Sequence, residues 1–119
     1  MIKIKRLIKS FKYALKGFVK VFKEEQNLRI QSGVAILSIV MAIIFKISRL
    51  EWIALFFVIL AVLLAEIINS AIERITDVLK PRIDNYVKEI KDIMAAAVML
   101  ASISAVIVGL IIFIPHIFD

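Results

Sequence analysis

The chain has 119 residues, 62% of them hydrophobic, and a mean hydropathy of +0.98. Soluble domains are usually roughly 45–50% apolar, so the 22% of charged residues must be segregated from apolar blocks, and the length leaves no room for a separate soluble catalytic lobe. The absence of cysteine excludes disulfide scaffolds, zinc–thiolate sites and thiol nucleophiles; a net charge of +6 on so apolar a chain points to an anionic membrane surface rather than to nucleic acid.

The first 25 residues are predicted to form a basic amphipathic helix. Lys9, Lys12, Lys16, Lys20 and Lys23 recur at steps of three and four, while Leu7, Ile8, Phe11, Leu15, Phe18, Val19 and Phe22 fill the opposite face. Such a helix lies flat on a membrane surface. It lacks the uninterrupted apolar core and small-residue cleavage site of a signal peptide. Three apolar blocks follow: Ile30–Phe45, Trp52–Ala65 with a more polar continuation to Ile72, and Ile93–Phe118. A spanning helix needs about 20 mostly apolar residues. With their flanks, the blocks predict transmembrane helices over 27–46, 51–79 and 91–117, the second extending beyond the membrane. None alternates with period two, and in lipid only helices or closed barrels satisfy the backbone, so the fold class is an all-α integral membrane protein forming one domain, 1–119.

Basic residues set the orientation. Lys and Arg crowd the segment before the first span and the stretch from Arg74 to Lys91, whereas the link between spans one and two holds only Lys46 and Arg49. The positive-inside rule places the N-terminus in the cytoplasm and the C-terminus outside. Trp52 then anchors the outer start of the second span. Pro81 and Pro115 lie past the second helix and near the end of the third.

Ionisable residues inside spans are functional candidates by default. Glu66, Asn69, Glu73 and Asp77 are spaced by three, four and four, and at 3.6 residues per turn they fall within a sector of about 80°. Counted from Trp52 at 1.5 Å per residue, Glu66 lies ~21 Å into a core of ~30 Å, and Glu73 lies ~31 Å along, at the boundary. Glu24 and Glu25 precede the first span and Lys91-Asp92 the third, so all these groups reach the same inner surface. Glu25 with Glu73 is suited to Mg²⁺, a hard cation that takes carboxylates together with substrate phosphates. Lys91 can balance phosphate charge, leaving Glu66 to accept a proton from a lipid hydroxyl. Phosphoryl transfer to a lipid fits this set.

These residues carry a resemblance. Glu66-Ile-Ile-Asn-Ser-Ala-Ile-Glu73-Arg-Ile-Thr-Asp77, followed by Lys91-Asp92-Ile-Met-Ala-Ala-Ala-Val98, resembles the prokaryotic diacylglycerol kinase family, which includes undecaprenol kinases. Tyr13-Ala-Leu-Lys-Gly17 and Glu25-Gln-Asn-Leu-Arg29 extend the likeness over essentially the whole chain. The resemblance implies a homotrimeric helical bundle with active sites shared between subunits, and ATP as phosphate donor. It implies that Glu66 is the general base with Asn69 a polar partner, and that Glu25 and Glu73 bind the metal. It further implies that Lys91 grips the transferred phosphate and that Asp77 and Asp92 belong to the nucleotide site. Arg6, Tyr13, Lys16 and Gly17 match surface-helix positions that help close over ATP. Relatives with a His before the Lys-Asp pair are matched here by Arg82-Ile-Asp-Asn-Tyr-Val-Lys-Glu-Ile90, and those reading Arg-Ile-His by Arg29-Ile30-Gln31.

No P-loop and no Gly-rich nucleotide loop is present, since glycine occurs only at Gly17, Gly33 and Gly109. A proton-coupled transporter could use Glu66, but would not need Glu25, Asp77 and Lys91-Asp92 at matching depth. Glu25-Gln-Asn-Leu-Arg-Ile30 and Ser48-Arg-Leu-Glu-Trp52 resemble the undecaprenol kinases and favour undecaprenol over diacylglycerol as the lipid alcohol.

Overall fold

The computed structural model describes residues 3–79 and 84–119, and among these it contains four helices and no strand. They are α1 (Ile4–Glu24), α2 (Gln26–Phe45), α3 (Arg49–Leu79) and α4 (Asp84–Ile117). The expectation attached to Pro81 and Arg82 lies outside the described residues. Helices α2, α3 and α4 are each long and apolar enough to cross a membrane, as the three apolar blocks require. α1 keeps the basic and apolar faces apart and buries no residue of its own. Its apolar face, with Leu7, Phe11, Leu15 and Phe18 exposed, is available to a membrane surface.

One boundary differs from the expectation. The third spanning helix begins at Asp84 rather than at 91. The sequence from Asn85 to Lys91 contains neither Gly nor Pro, so nothing halts the helix where its apolar stretch ends. Val87, 3% exposed, gives this extension a buried contact.

α3 packs along α4 as the main contact of the fold, with α2 against α3 and touching α4 less. α2 presents Leu28, Ala35 and Ala42, every seventh residue, as its buried stripe. The two alanines let the helix backbones approach closely, which is how packing and not hydrophobicity holds helices together in lipid. At one end the helices close tightly: Ala42, Ile47, Leu55, Ile112 and Phe113 form the buried cluster, flanked by Met41, Phe45 and Trp52. Further along, α2 and α4 diverge over α3 and leave an apolar groove of about 570 Å³, lined by Val34, Ser38, Val62, Ser102, Ala105 and Gly109 among others.

The link between α2 and α3 is short because both helix ends are capped locally. Lys46 adopts the left-handed conformation at φ 51°. Its N–H donates to the Ile43 carbonyl and the Ile47 N–H to the Ala42 carbonyl, each at 3.3 Å, the paired bonds of a Schellman ending. Ile47 then packs back on Ala42. At the start of α3 the Ser48 hydroxyl accepts from the Glu51 N–H at 3.2 Å and the Glu51 carboxylate from the Ser48 N–H at 2.9 Å, a reciprocal capping box. Glu51 also meets His116 Nε2 at 3.3 Å, and the His116 ring stacks on Phe45 with centroids 6.1 Å apart. The tight end is thereby tied across α2, α3 and α4.

Ala42 is fully buried at this crossing. Ala42→Leu should therefore destabilise the bundle by about 1–3 kcal/mol, the usual cost of overpacking. Ile43→Leu, on the neighbouring exposed face, should change little. Unfolding titrations of both variants in mixed detergent micelles check this; equal stability would show that the crossing is not tightly packed.

Candidate active site

The end of the bundle opposite the tight cluster is polar, and its geometry starts at a single residue. Glu25 is the only residue between α1 and α2, with an extended backbone at φ −105°, ψ 111°. Its N–H closes α1 by donating to the Val21 carbonyl at 2.8 Å, and its carbonyl accepts from the Arg29 N–H at 3.3 Å to open α2. Arg29 reinforces this elbow from the first turn of α2. Its Nη1 donates to the carbonyls of Phe22 at 3.1 Å and Lys23 at 2.6 Å, groups that the end of a helix leaves without partners. The negative end of the α1 dipole meets a guanidinium there.

The elbow sets two adjacent carboxylates against α3. Glu24 pairs with Arg74 Nη2 at 2.5 Å. Glu25 accepts a hydrogen bond from Ser70 Oγ at 3.1 Å. On α3 itself, Asn69 Nδ2 donates to Glu73 Oε1 at 3.3 Å, and Asp77 accepts from Lys91 Nζ of α4 at 3.0 Å. Thus Glu25, Glu66, Asn69, Glu73, Asp77 and Lys91 are brought to one end of the bundle from the α1–α2 elbow, α3 and α4. Asn69, which the resemblance sets beside Glu66 as a polar partner, directs its hydrogen bond to Glu73. The i, i+4 spacing explains this, since both side chains project from the same ridge of α3.

Glu66 occupies the deepest position. It is 6% exposed and lies within electrostatic reach of Glu25 and Glu73. Among the described residues, Glu24, Glu25, Glu73 and Asp77 each bond to a partner side chain, whereas no side chain or backbone N–H donates to Glu66.

The donor set suits a hard divalent cation. Among the described residues no three His, Asp or Glu side chains converge as a closed metal cage. Mg²⁺ does not require one, because it keeps water and takes one or two carboxylates beside substrate phosphates. Glu25 and Glu73, each half-turned toward solvent, fit that demand.

The residues expected on α1 are placed differently. Arg6, Tyr13, Lys16 and Gly17 are exposed on α1, and none hydrogen-bonds with the carboxylates of α3 among the described residues. At 1.5 Å per residue, Tyr13 stands about 16 Å up the helix from Glu24. A Cβ at Gly17 would meet nothing within 4 Å, so packing within the chain does not require a glycine there. Asp92 is exposed next to Lys91. Ser70, Arg29 and Arg74 make the contacts that hold the group, and the reading of the sequence passed over all three.

The profile of the prokaryotic diacylglycerol kinase family matches residues 12–113. The chain belongs to that family. It is 29% identical over 112 residues to an undecaprenol kinase of Bacillus subtilis, covering 94% of this chain and 91% of that protein. It is 33% identical over 112 residues to a diacylglycerol kinase of Escherichia coli, covering 93% and 91%. Against a diacylglycerol kinase of Synechocystis it is 32% identical over 104 residues, covering 87% of this chain and 59% of that one. With family membership and three candidate spans, the protein is a membrane lipid kinase, and the transporter reading is set aside.

The Glu24–Arg74 pair gives a measurable handle on the elbow. The hydrogen bond from Arg74 holds the Glu24 carboxyl below its ordinary value of 4.5, burial opposing it and the charges of Arg74 and Lys20 adding to it. A depressed folded value means that the pair stabilises the fold above 4.5 and that its contribution is lost as pH falls through the depressed value. In Arg74→Ala, the ¹³C resonance of the Glu24 carboxyl should titrate at higher pH than in the wild type. An unchanged midpoint would show that Arg74 does not hold this carboxylate in solution.

Proposed function

We propose that the protein transfers the γ-phosphate of Mg·ATP to the primary hydroxyl of a membrane lipid alcohol, with undecaprenol as the preferred acceptor. The observation that carries this reading is the nearly buried Glu66, without a donor among the described residues, within electrostatic reach of Glu25 and Glu73. A lipid alcohol is a poor nucleophile, and its proton must leave as the new P–O bond forms. A base for this step must sit at hydroxyl depth and within about 2.6–3.2 Å of the hydroxyl. Glu66 meets the depth condition; Glu73 lies about 10.5 Å further along α3, where the phosphates belong.

In the reaction so read, Glu66 takes the hydroxyl proton, the lipid oxygen bonds to the γ-phosphorus, and the bond from that phosphorus to the bridging oxygen breaks to release ADP. Lys91 balances charge on the transferred group by exchanging its partner Asp77 for phosphate oxygen. Asn69 holds Glu73 in place. Asp77 and Asp92 line the nucleotide side, with Arg6, Tyr13, Lys16 and Gly17 of α1 folding over ATP. Glu25 and Glu73 would hold Mg²⁺, which neutralises phosphate charge when bound. The carboxylates of one chain cannot enclose a triphosphate, so a homotrimer in which neighbours complete each site fits best. The distribution of basic residues supports a reading with this end of the bundle at the cytoplasmic face of the cell membrane and the tight end outside.

The acceptor rests on two segments. Glu25-Gln-Asn-Leu-Arg-Ile30 and Ser48-Arg-Leu-Glu-Trp52 resemble the undecaprenol kinases. The identity to a diacylglycerol kinase, 33% against 29% over equal lengths, keeps diacylglycerol as the second reading. Both lipids present a primary hydroxyl at the same depth. The test is transfer of labelled γ-phosphate from Mg·ATP in vesicles carrying one lipid or the other. Labelled undecaprenyl phosphate should form faster than phosphatidic acid. The reverse order would overturn the acceptor assignment, and no labelled lipid from either would overturn the proposal.

A further inference from the structure

Glu25 stands at a place where its side chain has two competing uses. It is the N-cap residue of α2, with the extended backbone that N-caps adopt. The helix dipole attracts a carboxylate there toward the free N–H groups of the first turn. In this structure no side-chain cap bond is made. The Glu25 carboxylate instead reaches across to α3 and accepts from Ser70 Oγ.

Ser70 is 1% exposed and lies one turn beyond Glu66 on the same face of α3. A serine hydroxyl inside a spanning helix commonly bonds back to its own backbone, four residues earlier, as Ser38 does to Val34. Ser70 spends its proton on Glu25 instead. Arg29 assists from behind: by holding the last carbonyls of α1 it fixes the elbow so that Glu25 faces α3.

We propose that Ser70 is a positioning residue whose hydroxyl draws the Glu25 carboxylate off the α2 N-terminus and into the acidic group around Glu66, ready for a divalent cation. Without that donor, Glu25 turns back to cap its own helix and one cation ligand is withdrawn. The inference rests on the assignment of Glu25 to the metal and is tested so that the two stand or fall separately.

The experiment measures Mn²⁺ binding to the full chain in detergent by loss of the free-ion electron paramagnetic resonance signal, for wild type, Ser70→Ala, Glu25→Gln and the double variant. Ser70→Ala should weaken Mn²⁺ binding about tenfold, as expected for a hydrogen bond to a charged group. In the Glu25→Gln background the same change should have almost no effect, because Ser70 acts only through that carboxylate. A parallel Mg²⁺ titration of turnover should show the same shift, with most activity recovered at saturating Mg²⁺. If Glu25→Gln weakens binding but Ser70→Ala does not, or if Ser70→Ala weakens it equally in both backgrounds, the positioning role is wrong while Glu25 keeps its metal. If Glu25→Gln leaves Mn²⁺ binding unchanged, the metal assignment of Glu25 fails and the positioning role with it.

Discussion

A nearly buried carboxylate within a membrane-spanning helix is expensive, and the polar end of this bundle is organised around that cost. Ionisable groups there must be paired, face a wet cavity or change protonation state. Here Glu24, Glu25, Glu73 and Asp77 are each given a donor, from Arg74, Ser70, Asn69 and Lys91. Glu66, the most deeply buried of the group, has no donor among the described residues. The arrangement concentrates carboxylates at one end of the bundle, and in the function proposed above it offers a cation and phosphates a place to enter with one carboxylate at the level of a lipid hydroxyl.

That arrangement needs one end of the bundle to be firm and the other open. The firm end is built from backbone caps and small-residue packing: the Schellman ending at Lys46, the capping box of Ser48 and Glu51, and Ala42 against Leu55 and Phe113. From there α3, about 47 Å long, carries its acidic face out to the elbow at Glu25. Among the described residues the elbow is where polar side-chain bonds fix α1 to the spanning helices, through Arg29 and Arg74. α1 otherwise keeps its own side chains exposed, which leaves it able to settle on a membrane surface.

Much of this was legible in the sequence because it is local. The lysine period of α1, the three apolar blocks and the shared face of Glu66, Glu73 and Asp77 follow from spacing along one chain segment. The start of α4 was not, since hydropathy marks where a span ends and says nothing about a helix that continues beyond it. The hydrogen bond from Asn69 to Glu73 at i+4 is equally local, but spacing alone does not say which of the neighbouring carboxylates Asn69 bonds. The contacts of Ser70 with Glu25 and of Arg74 with Glu24 cross 45 and 50 residues, and no periodicity encodes them. One signal was available: a serine at i+4 from a buried glutamate on the same face marks a donor aimed into an acidic group.

The central claim is that Glu66 acts as the base. Glu66→Gln preserves shape and hydrogen-bonding capacity and removes the basic oxygen, so one preparation should be assayed for nucleotide binding, helical content and lipid phosphorylation together. The account predicts that phosphorylation falls by about 10²–10⁴-fold, the usual worth of a general base, while nucleotide binding and helical content stay at the wild-type level. Near-wild-type phosphorylation by the Gln variant would contradict it.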